Sequence, residues 1–241
     1  MPNKIDLTDS LERIPVKIFT DSKEGSVYVA QVIAQLIRQK ERDGKKCVIG
    51  LATGSTPKTL YAELVRMHKQ EGLSFKNVIT FNLDQYYPMD KDALQSYHYF
   101  MRKNLFEQTD IDPGNYHLPD GMIPKDKVKA HCLDYEKQIE AAGGLDLQIL
   151  GIGINGHIGF NEPGSAIYSK TRLITLDNST LLANSHEFGN ISLVPRMAIT
   201  MGISTIMKSE EIILMAWGQN KAPVIKKAVE DVSINDVIIV K

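Results

Sequence analysis

Short apolar, β-branched runs alternate with amphipathic stretches along almost the whole chain. Val16 to Phe19 reads as a first strand. Asp21 and Glu24 then stand in the D-x-x-E spacing of a capping box, in which each end of the motif satisfies a free N–H of the helix start. In the stretch that follows, Ala30, Ile33, Ala34 and Ile37 fall at i, i+3, i+4 and i+7, one face of a helix, and Gly44 is suited to cap its end. Cys47 to Leu51 is a continuous apolar run, as expected of a strand covered on both faces. Thr56-Pro57 predicts the next helix start, with Thr as N-cap and Pro at the first helical position, and Leu60, Leu64 and Met67 form its inner stripe. The alternation continues through strand Val78 to Leu83, helices Ser96 to Phe106 and Lys125 to Ala142, and strand Leu145 to Gly151. Beyond these come strands Leu173 to Leu176 and Glu211 to Trp217, helix Lys221 to Val229, and a last strand Val237 to Val240.

Strands separated by helical stretches imply βαβ units, hence an α/β fold with a mainly parallel central sheet flanked by helices on both faces. No internal repeat, low-complexity tract or Pro/Ser-rich linker divides the chain, so a single domain is expected over 1–241, with a polar extension at about 1–15. Ligands of such sheets sit outside the carboxyl ends of the strands. The loops after Leu51, Leu83, Leu150 and Trp217 are therefore the places to look for chemistry.

Composition narrows the function only by exclusion. Among 241 residues, 28 Lys+Arg offset 29 Asp+Glu, leaving a net charge of -1 without the basic excess that binding a phosphate backbone requires. No nucleic-acid partner is expected. No apolar run approaches the roughly 18 residues of a membrane span, and the start of the chain lacks a signal-peptide core, so no membrane partner is expected and the cytoplasm is the default compartment. Cys47 and Cys132 are too few for a disulfide framework and lack metal-ligand spacing. They are expected to be core or half-buried thiols, and no metal site is expected.

Four loops carry candidate chemistry. Thr53-Gly54-Ser55-Thr56 joins a buried strand to a helix, and small hydroxyl residues with free N–H groups at a helix N-terminus make an anion site. It is not a Walker A loop, since no Gly-Lys-Ser/Thr follows. Asp84, at the end of an apolar strand beside Tyr86 and Tyr87, suits a general base with a raised pKa, although on this segment alone a loop-opening Asp is the better reading. The segment Gly151 to Gly164 opens as G-x-G-x-x-G, but Gly159 and Pro163-Gly164 interrupt the helix that a dinucleotide fingerprint requires. It offers instead His157 and Glu162, spaced for an oriented proton carrier. Lys221 opens a helix, where its charge opposes the dipole unless it faces an anion.

Together these segments resemble the glucosamine-6-phosphate deaminase (isomerase) family. The resemblance rests on Thr53-Gly54-Ser55-Thr56-Pro57, Phe81-Asn82-Leu83-Asp84-x-Tyr86 and the long run from Gly151 through His157 to Pro163. To these it adds Ala198-Ile199-Thr200-Met201-Gly202 and Lys221-Ala222, and it covers roughly residues 16 to 230. The Thr53 loop alone is also similar to that of 6-phosphogluconolactonases. The resemblance implies a Rossmann-like three-layer sandwich that converts glucosamine 6-phosphate and water to fructose 6-phosphate and ammonia, with no metal or organic cofactor. It implies that Thr53, Gly54, Ser55, Thr56, Lys221 and His186 hold the phosphate. His157, oriented by Glu162 and Asn155, would open the sugar ring, and Asp84 would move the proton from C2 to C1.

Several positions depart from the family pattern. Gln85 stands where a Glu commonly follows the Asp, Asn155 where some members have Asp, and His186 where an Arg is typical. Arg172 matches a position involved in allosteric control in hexameric members, whereas Ile174 replaces their Lys. After Val229 the chain departs from the family's usual ending, which suggests a short variant or the front part of a longer protein. Because the family includes monomers and hexamers, a homo-oligomer is compatible with the sequence. Two other readings stay open on the residues: a lactone hydrolase, or a sugar-phosphate-binding domain without catalysis.

Overall fold

The computed structural model describes residues 14–230. Its helices are α1 (Ser22–Arg42), α2 (Lys58–Glu71), α3 (Tyr97–Asn104), α4 (Val128–Ala141), α5 (Asn178–Phe188), α6 (Ile203–Met207) and α7 (Ala222–Val229). Its strands are β1 (Cys47–Leu51), β2 (Val78–Asn82), β3 (Asp84–Tyr87), β4 (Tyr116–His117), β5 (Leu147–Gly151), β6 (Arg172–Thr175), β7 (Met197–Thr200) and β8 (Glu211–Met215).

The central sheet has the order β4-β2-β1-β5-β8 with every pair parallel. Ile49, Leu51, Leu147 and Ile149 pack on one face beneath Ile33 and Ile37 of α1 and Leu60 and Leu64 of α2. Val48, Phe81 and Leu150 pack on the other beneath Tyr135 and Ile139 of α4 and Ile203 and Ile206 of α6. The expected α/β sandwich is thus present, and β1 is buried at every residue, as a doubly covered strand must be. Asp146 fixes the register at the amino end of β5, accepting from the Val48 N–H at 2.8 Å and from the Lys40 ammonium.

A second, antiparallel sheet of three short strands, β3-β7-β6, lies beside the first. The sequence pattern did not resolve it. Val78 to Leu83 read as one strand, but the chain leaves the parallel sheet after Asn82, and Leu83 is the only residue between β2 and β3. Leu83 straddles the junction, donating to the Leu51 carbonyl at 2.9 Å and accepting from Met201 at 2.6 Å.

Other boundaries differ for local reasons. Val16 to Phe19 forms no strand and pairs with none among the described residues; Phe19 instead packs on Tyr28, with ring centroids 5.4 Å apart. The capping box is displaced by one residue: Asp21 caps Glu24 at 2.8 Å, while Glu24 reaches back to the N–H of Thr20 at 2.9 Å. Pro57, not Thr56, is the N-cap of α2. The strand expected at Val237 to Val240 lies outside the described residues. Cys47 and Cys132 are free, buried thiols, as expected.

Candidate active site

Strand order places the candidate loops together. From β1 the chain steps to β2 and β4 on one side, then returns to β5 and β8 on the other. The order therefore reverses between β1 and β5. At such a switch point the loops after adjacent strands part and leave a crevice. The loop after β1 carries Thr53 to Thr56, and the loop after β5 carries Asn155, His157 and Glu162.

The first loop has anion-binding geometry. No acceptor among the described residues engages the N–H groups of Thr53, Gly54, Ser55 or Thr56. They precede the N-terminus of the fourteen-residue α2, where free N–H groups and the helix dipole favour negative charge. Gly54 sits at φ +96 with open space where a side chain would begin. The indole of Trp217 donates to the Thr56 carbonyl at 3.2 Å, tying this loop to the end of β8. Four residues after Trp217, Lys221 donates to the Ile152 carbonyl at 2.7 Å, and burial lowers its pKa.

The loop after β5 folds back through a bridge between Ile158 and Asn161. The carboxamide of Asn161 donates to the carbonyls of Ile158 and Met201 at 3.0 and 2.8 Å and accepts from Arg172 at 2.8 Å. The imidazole of His157 lies flat against Gly153, where a β-carbon would stand 2.3 Å from the ring. Among the described residues its Nδ1 has no hydrogen-bond partner, and it lies 3.7 Å from the Glu162 carboxylate, a gap longer than a hydrogen bond. Burial lowers the His157 pKa and the nearby Lys221 charge lowers it further, against the opposing pull of Glu162. The ring is therefore neutral near pH 7. Glu162 is fixed by Asn155 at 2.7 Å and by the hydroxyl of Thr180 on α5.

Asp84 opens β3, opposite Thr200 of β7. Tyr86, Tyr97 and Phe160 form an aromatic cluster beside it, with centroids 5.0 to 6.1 Å apart. The Asp84 side chain is 6% exposed and makes no hydrogen bond among the described residues. Burial alone raises its pKa to about 7. Gly159, two residues beyond His157, closes over it at φ +56; a β-carbon there would sit 3.3 Å from Asp84 Oδ2 and 3.1 Å from the Thr200 hydroxyl. Asp84 and the His157 loop are thus in direct apposition.

Two candidates stand apart. His186 is exposed on α5, where its ring turns to the Ala183 carbonyl at 2.8 Å and contacts nothing in the Thr53 loop. Arg172 is spent on Asn161 and Ser165, and burial lowers its pKa. The structure also adds Thr180, which the sequence did not single out, and gives Gly159 and Thr200, read there only as motif members, a place beside Asp84. No group of three or more His, Cys, Asp or Glu side chains among the described residues is arranged to hold a metal ion.

The family model described as glucosamine-6-phosphate isomerases/6-phosphogluconolactonase matches residues 20–237. The chain belongs to this family. A glucosamine-6-phosphate deaminase-like protein of Bacteroides thetaiotaomicron is 48% identical over 220 residues, covering 91% of this chain and 33% of its own length. The glucosamine-6-phosphate deaminase of Halothermothrix orenii is 51% identical over 182 residues, covering 76% of this chain and 75% of that one. This member of the family thus spans a third of the first relative and three quarters of the second. A solved monomeric glucosamine-6-phosphate deaminase superposes with a TM-score of 0.84 at 40% identity, over 89% of this chain and 86% of that one.

Proposed function

We propose that the chain is a glucosamine-6-phosphate deaminase whose base is Asp84. The observation that carries this reading is the buried, unpartnered Asp84 carboxyl under Gly159 of the His157 loop, with its pKa near 7. A proton α to a carbonyl is weakly acidic, so its base must be positioned, partly desolvated and tuned close to working pH.

The phosphate sits on the free N–H groups of Thr53 to Thr56, with Lys221 supplying positive charge. Neutral His157 takes the proton from the anomeric hydroxyl and returns it to the ring oxygen as the C1–O5 bond breaks. Glu162, held by Asn155 and Thr180, orients that ring. Its long contact to His157 is of the kind that shortens once a substrate is in place. Asp84 removes the proton from C2 of the open chain and delivers it to C1, through an enolamine. Water then adds at C2 and the amino group leaves as ammonia, so glucosamine 6-phosphate plus water balances fructose 6-phosphate plus ammonia. No step requires a metal or organic cofactor.

The test is ammonia release from glucosamine 6-phosphate by the purified chain, with Asp84→Asn as control. Turnover in the wild type, lost in the variant while phosphate-sugar binding persists, is the expected result. Hydrolysis of 6-phosphogluconolactone that survives Asp84→Asn, or sugar-phosphate binding with no turnover of either compound, would overturn it.

A further inference from the structure

Between α4 and β6 lies a cleft of about 480 Å³ that shares no residue with the Thr53 loop, Asp84, His157 or Lys221. Its size is that of a small-ligand site. Val128, Cys132 and Leu133 line one side and Leu173 the other, and Leu133 is left 51% exposed. Val128, Cys132 and Leu173 also pack together as a small apolar cluster with Tyr87 and Ile199.

The charge around this apolar floor is of one sign. Lys125, Lys129 and Lys170 stand at the cleft, and no Asp or Glu lines it. None of the three ammonium groups has a carboxylate partner among the described residues. Glu136 continues the same face of α4, seven residues beyond Lys129, but it is committed to the N–H and hydroxyl of Thr171 and the hydroxyl of Thr205. Arg172 contributes to the wall with its guanidinium already bonded to Asn161 and Ser165. Three unpaired cations beside hydrocarbon are complementary to a negative charge on an apolar body. A sugar, by contrast, would find few partners for its hydroxyls there.

We propose that the α4–β6 cleft is a second binding site, for a small organic anion with an apolar or aromatic body. Its apolar part lies on Leu133 and Leu173, and its charge faces Lys125, Lys129 and Lys170.

The probe is anilinonaphthalene sulfonate, titrated by fluorescence against the full chain. Saturable binding is expected, displaced by decyl sulfate below its micellar concentration but not by inorganic sulfate or by neutral decyl maltoside. Each exposed charge contact is weak alone, so the combined K125Q, K129Q and K170Q variant should bind about ten-fold more weakly. Leu133→Glu should weaken binding comparably. Circular dichroism confirms folding of both variants, and ammonia release from glucosamine 6-phosphate should match wild type in each. Undiminished affinity in the lysine variant, or equal displacement by the neutral detergent, overturns the proposal. So does a dimer that excludes the probe and dissociates on Leu133→Glu, since a second copy would then be what covers the cleft.

Discussion

A carboxyl buried under Gly159 without a hydrogen-bond partner keeps its proton in the folded chain up to about pH 7, against an ordinary value of 3.8. Between those values folding takes up a proton, so stability falls as pH rises through the window and stays reduced above it. One pKa unit corresponds to about 1.4 kcal/mol. Asp84→Asn should therefore stabilise the fold by up to about 4 kcal/mol near pH 8, an advantage that shrinks as pH is lowered from 7 toward 4; urea unfolding across that range checks it. The same substitution should reduce turnover by about 10²- to 10⁴-fold. In the wild type, kcat/KM should fall on the acid side with a midpoint near 7, as Asp84 becomes protonated. Gly159→Ala places a methyl against Asp84 Oδ2 and asks a chiral residue to adopt φ +56. The backbone strain should cost about 1–2 kcal/mol of stability, seen as a lower melting temperature, and kcat should fall as well, both measurable on one preparation.

Helix α5 holds Glu162 through the Thr180 hydroxyl, while its Ser179 lies 3.5 Å from Asn155 and its Phe188 packs on Tyr86. Thr180→Val keeps the shape and removes the donor. A several-fold loss in kcat with a stability change within about 1.5 kcal/mol is expected from steady-state kinetics and thermal unfolding together. This helix was also the least legible in the sequence. Only Thr180 and Leu181 are buried along it, so it presents no apolar stripe to read. The strands of the parallel sheet were legible for the opposite reason, because burial on both faces forces runs such as Cys47 to Leu51. Of the antiparallel strands only β6 was legible, as Leu173 to Leu176; β7 was not read as a strand, and β3 is separated from β2 by Leu83 alone. Among the site residues, the Thr53 loop and Asp84 were visible as polar punctuation at strand ends. The direction of the Asp84 pKa shift was legible beside Tyr86 and Tyr87, but its extent was not, since its burial depends on Gly159, Tyr97 and Phe160, which are distant in sequence.

The molecule as a whole places the proposed phosphate loop on one side of the reversal in strand order and the His157 loop on the other. A sugar phosphate that bridges them binds the folded chain alone. At a concentration one hundred times its Kd, fructose 6-phosphate should add about 2.7 kcal/mol of stability, several degrees in melting temperature for a chain of this size. Gly54→Val, which strains a φ of +96 and fills the space before the loop, should abolish that ligand-induced shift in calorimetry. The central strand has a further consequence, during synthesis. β1 pairs with β2 on one edge and with β5 on the other, and β5 begins only at Leu147. A nascent chain that has emerged through β2 but not yet through β5 carries an apolar strand with one bare edge, a template for pairing with other chains. The strand edge stays bare from the emergence of β2 until β5 has emerged as well.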